Sequence, residues 1–413
     1  MHEQRRWPAP WVFSLLILPL GISVGFKFTP LPFLLAQAGV PVYRIATIAT
    51  IVHLPAVLVF LWAPLVDVKL RRRTWLMIGA LGTSLGLCAA FPLIGASHLK
   101  LMTALVLAAG VADSLVMASC GGLMVSTLSA PAQAKASAWV MAGQLGGGAL
   151  GGAAVLWLAA RAPLFAVGAL LAVVIALPAF VALTIPEPLP RPSPWFRGRL
   201  AKIGREIRAL VRSPERRWSG LLLISPAGTV AAQGLLPAIA SHYGVGATGV
   251  IWVNGAAGGV VLALGSLCGA LVPGDWDRRL TYAGAGLTNA LAALVLMTAN
   301  RPSVYLVGTV LYLITGGLCW ARFVALLVEI VGPETRDVST FYSALNAAGS
   351  IPLLFMIWLD GFGFYKFGTH GLLWMDAAPN LLVFVIVVTV FAVCGLGLRR
   401  APGPQLLNSD VQE

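Results

Sequence analysis

Charge is scarce in this chain. Only 10% of its 413 residues are Asp, Glu, Lys or Arg, against about a quarter in a soluble domain. With 58% hydrophobic residues and a mean hydropathy of +0.87, there is too little polar surface to cover a water-facing globule. A large soluble enzyme is thereby excluded. Acids number 15 and histidines 5, and no His-rich box, His-x4-Asp pair or nucleotide-binding glycine loop occurs among them. A polytopic membrane transferase and an ATP-driven pump lose their usual chemistry on that ground. The five cysteines, Cys88, Cys120, Cys268, Cys319 and Cys394, stand singly within apolar runs. Their spacing offers neither a metal site nor a disulfide framework, and they read as small polarizable packing residues. No cofactor is expected. Strict alternation of apolar and polar residues is also missing, which excludes a membrane barrel.

What the sequence has is oil, in runs of the length that crosses a bilayer. A spanning helix takes roughly 20 apolar residues, and such runs lie at 11–34, 45–66, 75–95, 101–127, 136–159, 163–185, 218–242, 249–272, 280–299, 303–331, 338–359 and 374–398. These are spans 1 to 12. Lipid satisfies no backbone polar group, so continuous runs of this kind must be helices. The opening stretch "MHEQRRWPAPWVFSLLILPLGISVGF" has the Arg pair and apolar run of a signal peptide, but no small-x-small cleavage site follows at the right distance, and it reads as an uncleaved first helix.

The net charge of +13 does not point to nucleic acid, because of where the cations sit. With a cytoplasmic N-terminus, the outside loops hold only Arg44, Lys100, Arg161, Arg301 and Lys366, and the spans hold Lys27 and Arg322. Every other Lys and Arg falls on an inside segment, as the positive-inside rule requires. The reading is a multi-pass protein of the cell's inner membrane, both termini cytoplasmic, with the lipid bilayer as its main partner and a monomer expected.

The longest polar interruption, "PEPLPRPSPWFRGRLAKIGREIRALVRSPERR" at 186–217, separates six spans from six. It divides the chain into an N-terminal bundle (1–185), a basic linker (186–217), a C-terminal bundle (218–400) and a tail (401–413). Residues 196–211 are expected to form a basic amphipathic helix, with Leu200, Ile203, Ile207, Leu210 and Val211 on one side. The halves echo each other. "PLVDVKLRRRTWLMIGALG" and "ALVPGDWDRRLTYAGAG" align Arg72-Arg73 with Arg278-Arg279, an offset of 206 residues, and Pro131 and Lys135 after span 4 match Pro333 and Arg336 after span 10. Repeated six-helix halves are characteristic of secondary transporters that rock about a central site.

An acid followed by clustered Arg in the loop after span 2, Asp67 with Arg71, Arg72 and Arg73, resembles the signature of the major facilitator superfamily. That resemblance implies an all-α fold of about twelve spans in two pseudo-repeats, with this cluster acting as an inner gate. Shorter segments, "FLWAPLVD" at 60–67, "GGLCWARFVALLVEIV" and "STFYSALNAAG", resemble the AmpG-type muropeptide permeases and the peptide/acetyl-coenzyme A/drug transporters. That group often carries two acids in span 4; here "GVADSLVMASCGG" keeps Asp113 and has Met117 at the second position. "GQLGGGALGG" in span 5 approaches the glycine pattern of drug/proton antiporters, with Gly148 where that pattern has proline. Gly143, Gly147 and Gly151 are read instead as a small-residue packing face.

Ionisable residues inside spans mark site hypotheses by their cost. In the fold the resemblance implies, spans 1, 4, 7 and 10 line the cavity. They carry Lys27, Asp113, Gln233, and Arg322 with Glu329, respectively. On this reading Asp113 is the only acid near mid-membrane. At about 1.5 Å per residue, Lys27 lies within a side chain's reach of it. Arg322 and Glu329, seven residues apart, fall on nearly the same helix face. Arg322 would supply a planar cationic contact to a carboxylate or phosphate, Asp113 would carry protons, and His53 on span 2 is a further relay candidate. Pro19, Pro30, Pro226 and Pro237 mark bending points. The expected function is a secondary active permease, proton-coupled, for a small solute that is an organic anion or sugar-peptide-like. A drug/proton antiporter is the alternative, and a membrane enzyme the alternative of another class.

Overall fold

A computed structural model describes residues 8–62, 66, 70–128, 130–187, 204, 205, 208, 210–273, 275–331 and 338–394. The expected linker helix at 196–211 lies largely outside them, and so does Asp67. Among the described residues there is no strand, and ten helical segments are long and apolar enough to cross a membrane. One of the ten, Ala344–Val393, contains two crossings, because the helix Ile351–Val393 turns back at Gly368 (φ 66°, ψ −153°). Span 7 is a further crossing, broken into short helices. The count of twelve follows.

Three of the four prolines expected to mark bends, Pro30, Pro226 and Pro237, fall at breaks, whereas Pro19 sits inside the continuous helix Val12–Phe28. Span 1 is two helices, Val12–Phe28 and Pro30–Gln37, meeting at Thr29 (φ −123°, ψ −66°). Pro30 has no N–H to lose in a first turn, so it restarts the helix where it cannot continue one. Span 7 runs as Pro214–Leu223, a break, a 3₁₀ turn at Ala231–Gly234 and the turn Leu236–Ile239. Within the break Gly228 (φ 67°) and Val230 (φ 53°) are left-handed. For a β-branched residue that conformation is strained, so surrounding contacts must hold it. Span 8 carries a π-helical stretch, Ile251–Ala256, of the kind that interrupts regular hydrogen bonding at functional places.

Packing repeats between the halves. Span 4 (Leu99–Thr127) packs on span 2 (Val42–Trp62) and span 3 (Arg72–Ala90), and span 3 packs on span 6 (Leu164–Ala179). In the other half, span 10 (Pro302–Val331) packs on spans 8 and 9 (Arg278–Met297), and span 9 on span 12. Spans 1 and 5 meet backbone to backbone: a Cβ on Gly25 would collide with Gly148. Gly143, Gly147 and Gly151 face Ser14, Leu18 and Ile22, so the span 5 glycines form the packing face. Between halves, span 2 packs on span 11 and span 5 (Ala130–Ala159) on span 8. At the end remote from the Arg cluster, Pro30–Gln37 packs on Leu236–Ile239 and the rings of Tyr43 and Tyr365 lie 5.2 Å apart.

Candidate coupling and transport site

The break in span 1 sets Lys27 two residues before the bend at Thr29, with its side chain directed into the N-terminal half. Its Nζ lies 2.7 Å from Oδ2 of Asp113, and the two side chains are 6% and 3% exposed. Ser23, one helical turn earlier, donates to the same oxygen at 2.6 Å, and Thr83 of span 3 donates to Oδ1 at 2.8 Å. Asp113 thus receives a charge-assisted bond and two hydroxyl bonds from two other spans. That arrangement is what allows a buried ion pair to recover its desolvation cost. Sequence reasoning places Lys27 and Asp113 together by depth; Ser23 and Thr83 carry no signal that separates them from other small polar residues.

This pair adjoins the seam between the halves. The ring of Phe28, next to Lys27, lies 4.4 Å from that of His53 on span 2, and also faces Gly234 on broken span 7. His53 is close enough to Lys27 to feel its charge. Its Nδ1 is 2.7 Å from the carbonyl of Ala49, which fixes the proton on that nitrogen, and Nε2 is buried without a partner among the described residues. Thr29 donates to the backbone carbonyl of Asn254 in the π-helical part of span 8 at 3.3 Å. Gln233, half-buried, precedes Gly234 on the span 7 break. Lys27, Asp113 and His53 are therefore neighbours around the span 1 bend, and Gln233 adjoins the Gly234 that faces Phe28 there.

Arg322 and Glu329 do not join them. The guanidinium of Arg322 donates through an Nη to the carbonyl of Gly269, at the end of span 8. It lines an apolar groove with Trp276, Thr281, Leu318 and Phe391, formed by spans 9, 10 and 12. Glu329 pairs with Arg278 at the start of span 9, Nε to Oε2 3.5 Å. Their common helix face is real, but it looks toward span 9 and the basic end of its own half.

At the Arg cluster, Arg71 lies half-buried just ahead of span 3. The acid that caps this helix is Glu187, which follows span 6: Oε1 accepts from the Arg72 N–H at 2.8 Å and Oε2 from the Arg73 N–H at 3.2 Å. A carboxylate suits the positive end of a helix dipole. Arg72 also donates through Nη1 to the carbonyl of Gly122 on span 4 at 3.0 Å. The second half repeats the device. Asp277 caps span 9 by accepting from the Arg279 N–H at 2.8 Å, and Arg278 donates to the carbonyl of Ala325 on span 10 at 3.2 Å.

Asp113 is not the only acid buried within the helices. Asp360 and Asp376 are both fully buried in the C-terminal half. Asp360 stands one residue past the expected span 11 and Asp376 two residues inside the expected span 12; Gly363 and Gly371 let the two helices approach closely beside the Gly368 turn, so helix continues past both acids. Asp376 accepts from Tyr312 Oη on span 10 at 2.9 Å and from the Ala232 N–H of the span 7 break at 3.3 Å. Asn380, one turn on, accepts from the Gly228 N–H at 2.8 Å. These bonds hold the strained backbone of span 7.

A family model described as Major Facilitator Superfamily matches residues 9–274, well over half of the chain. The chain belongs to the major facilitator superfamily. Solved structures agree in fold. A D-xylose–proton symporter superposes with a TM-score of 0.68 at 14% identity, covering 92% of this chain and 97% of that one. The human organic anion transporter MFSD10 (TETRAN) gives 0.63 at 19% identity, covering 91% and 98%. A peptide transporter, POT, solved in complex with sulfate gives 0.68 at 11% identity, covering 94% of each chain. A comparison with curated protein sequences finds no match, and the muropeptide-permease resemblance gains no support. This superfamily member is a multi-pass membrane transporter.

Proposed function

We propose that the protein is a secondary active permease, driven by protons, for an organic anion or a sugar-peptide-like solute. The observation that carries this reading is the buried Lys27–Asp113 pair beside the bend of span 1. A carboxylate with a movable ammonium partner, next to the seam between two rocking halves, can exchange that partner for a proton as the seam opens. Lys27 and Gln233 offer a cation and an amide to an anionic or zwitterionic solute. The symporter of similar fold moves xylose with protons by its description; here the proton coupling rests on Asp113. In this reading residues 1–185 and 218–400 are the two moving bodies. Arg71, Arg72 and Arg73, together with Asp67 and Glu187, latch the end that faces the cytoplasm under the positive-inside rule. The antiporter alternative is weakened by the span 5 glycines, which are occupied in packing against span 1.

The test is uptake into proteoliposomes under an imposed pH gradient, with solutes chosen by a ligand-stabilisation screen of cell-wall fragments, organic anions and cationic drugs. Asp113→Asn is expected to abolish accumulation while preserving solute binding and exchange. Accumulation by Asp113→Asn in response to the gradient would remove Asp113 from the proton path. Export of cationic drugs by the wild type would favour the antiporter.

A further inference from the structure

The C-terminal half holds a second buried acid group that the coupling reading does not use. Asp360 sits near the far end of span 11 with no exposed surface, and among the described residues neither of its carboxyl oxygens has a hydrogen-bond partner. Asp376, across the Gly368 turn on span 12, is equally buried and close enough for the two charges to repel. Tyr312 of span 10 feels both. Among the described residues no cation pairs with them: the other groups facing this cluster are the thiol of Cys319 on span 10 and the amide of Asn380 on span 12. From span 2, packed against span 11, come Tyr43 and the exposed Arg44, whose Nε bonds the Tyr43 hydroxyl. From span 7, His242 meets the ring of Phe364.

An ionised carboxylate in lipid-shielded protein, unpaired and without one donor, is among the least tolerable groups a fold can bury; such a group stays neutral instead. Two acids in one dry site cannot both ionise. Asp376 has the donors that suit a carboxylate, from Tyr312 and Ala232, whereas Asp360 has none. We infer that Asp360 and Asp376 form a proton-binding site of the C-terminal half, in which Asp360 carries an exchangeable proton and Asp376 links its charge to the break in span 7. Loss of the Asp360 proton places a second negative charge beside the carboxylate that holds Ala232 and the strained Val230 turn. Opening of that break is the relief available. Two carboxyls and a phenol suit a proton better than a metal ion, and no group of three or more metal-ligating acid, His or Cys side chains occurs among the described residues.

The inference concerns protonation, so its test needs no transport and stands apart from the permease reading. Infrared spectra of the purified full-length protein in lipid vesicles report the C=O stretch that a protonated carboxyl has and a carboxylate lacks. The wild type at neutral pH is expected to show such a band, which moves on transfer to D₂O. Asp360→Asn is expected to lose it and Asp113→Asn to keep it. Asp360→Glu retains a carboxyl and is expected to retain a band at a shifted frequency, which covers the case in which the amide variant fails to fold. Equal carboxyl absorption in wild type and Asp360→Asn would show Asp360 ionised and overturn the proposal. A band that ignores D₂O would make Asp360 a sealed structural acid, and a band erased by sodium at constant pH would make the site one for a metal cation. Either result also overturns it.

Discussion

Replacing Lys27 by alanine strips the cation from a carboxylate that is 3% exposed and leaves two hydroxyl donors, Ser23 and Thr83, to hold it. Breaking a buried ion pair by removing one partner costs about 3–5 kcal/mol. The surviving hydroxyl bonds place this case at the lower limit, about 3 kcal/mol. The double variant Lys27→Ala/Asp113→Asn buries no charge; its single amide oxygen accepts from one of the two hydroxyls and its NH2 donates to the oxygen of the other, so its cost is about 1 kcal/mol, that of one ordinary hydrogen bond. The double variant is therefore expected to be the more stable by about 2 kcal/mol, or ~30-fold in the folding equilibrium. A thiol-reactive dye reads this directly, because Cys120 and Cys319 are buried and react only on unfolding, once the exposed Cys268 and Cys394 and the half-buried Cys88 are changed to serine. The unfolding temperatures should rank wild type, then double variant, then Lys27→Ala. Equal values for the two variants would refute the reasoning, since Asp113 would then not depend on Lys27 to be buried.

The same assay checks the helix caps: Glu187→Ala and Asp277→Ala should each lower stability by about 1–2 kcal/mol, and Glu187→Ala should be silent if the span 3 cap is incidental. Gly25→Ala, whose Cβ meets the backbone of Gly148, should cost about 1–3 kcal/mol or more by overpacking, whereas Gly121→Ala, with open space around it, should cost nothing measurable. Arg322→Ala should leave solute affinity unchanged in a binding titration, because its guanidinium bonds Gly269 rather than the span 1 site; a loss of about 1–3 kcal/mol in affinity would place it on the solute after all.

Hydropathy alone carries the fold, because lipid leaves a chain of this composition few other solutions. The apolar runs, the six-and-six division of spans and the Arg72–Arg278 correspondence are all legible as text. So is the reach of Lys27 to Asp113, since rise per residue converts sequence position into depth. Partners that depend on which way a helix faces are not legible in this way. The seven-residue spacing of Arg322 and Glu329 predicts a shared face correctly, but not that Arg278 and Gly269 occupy the space in front of it. Glu187 lies 115 residues from the Arg72 amide it caps, and nothing local marks it. Asp360 lies one residue past the apolar run of span 11 and Asp376 at the edge of span 12, and their burial follows only from Gly363, Gly368 and Gly371 closing a hairpin of helices.

The two halves repeat their packing and their capping but not their buried charge. Span 3 and span 9 both begin with a carboxylate on their first amides and an arginine reaching the next helix's backbone, by way of Glu187, Arg72 and Gly122 in one half and Asp277, Arg278 and Ala325 in the other. These contacts lie at the basic end and serve the architecture of each bundle. At the buried charges the symmetry stops. The N-terminal half buries an acid with its own ammonium, a neutral pair that can open without changing net charge. The C-terminal half buries two acids with a phenol and a broken helix, a group whose charge must change if it changes at all. The two halves of this fold are related by an axis along the membrane normal, so they meet each side of the membrane in the same sense, and what distinguishes one half from the other is its side chains. On the proton-driven reading proposed above, the asymmetry between Lys27–Asp113 and Asp360–Asp376 is where coupling is to be sought.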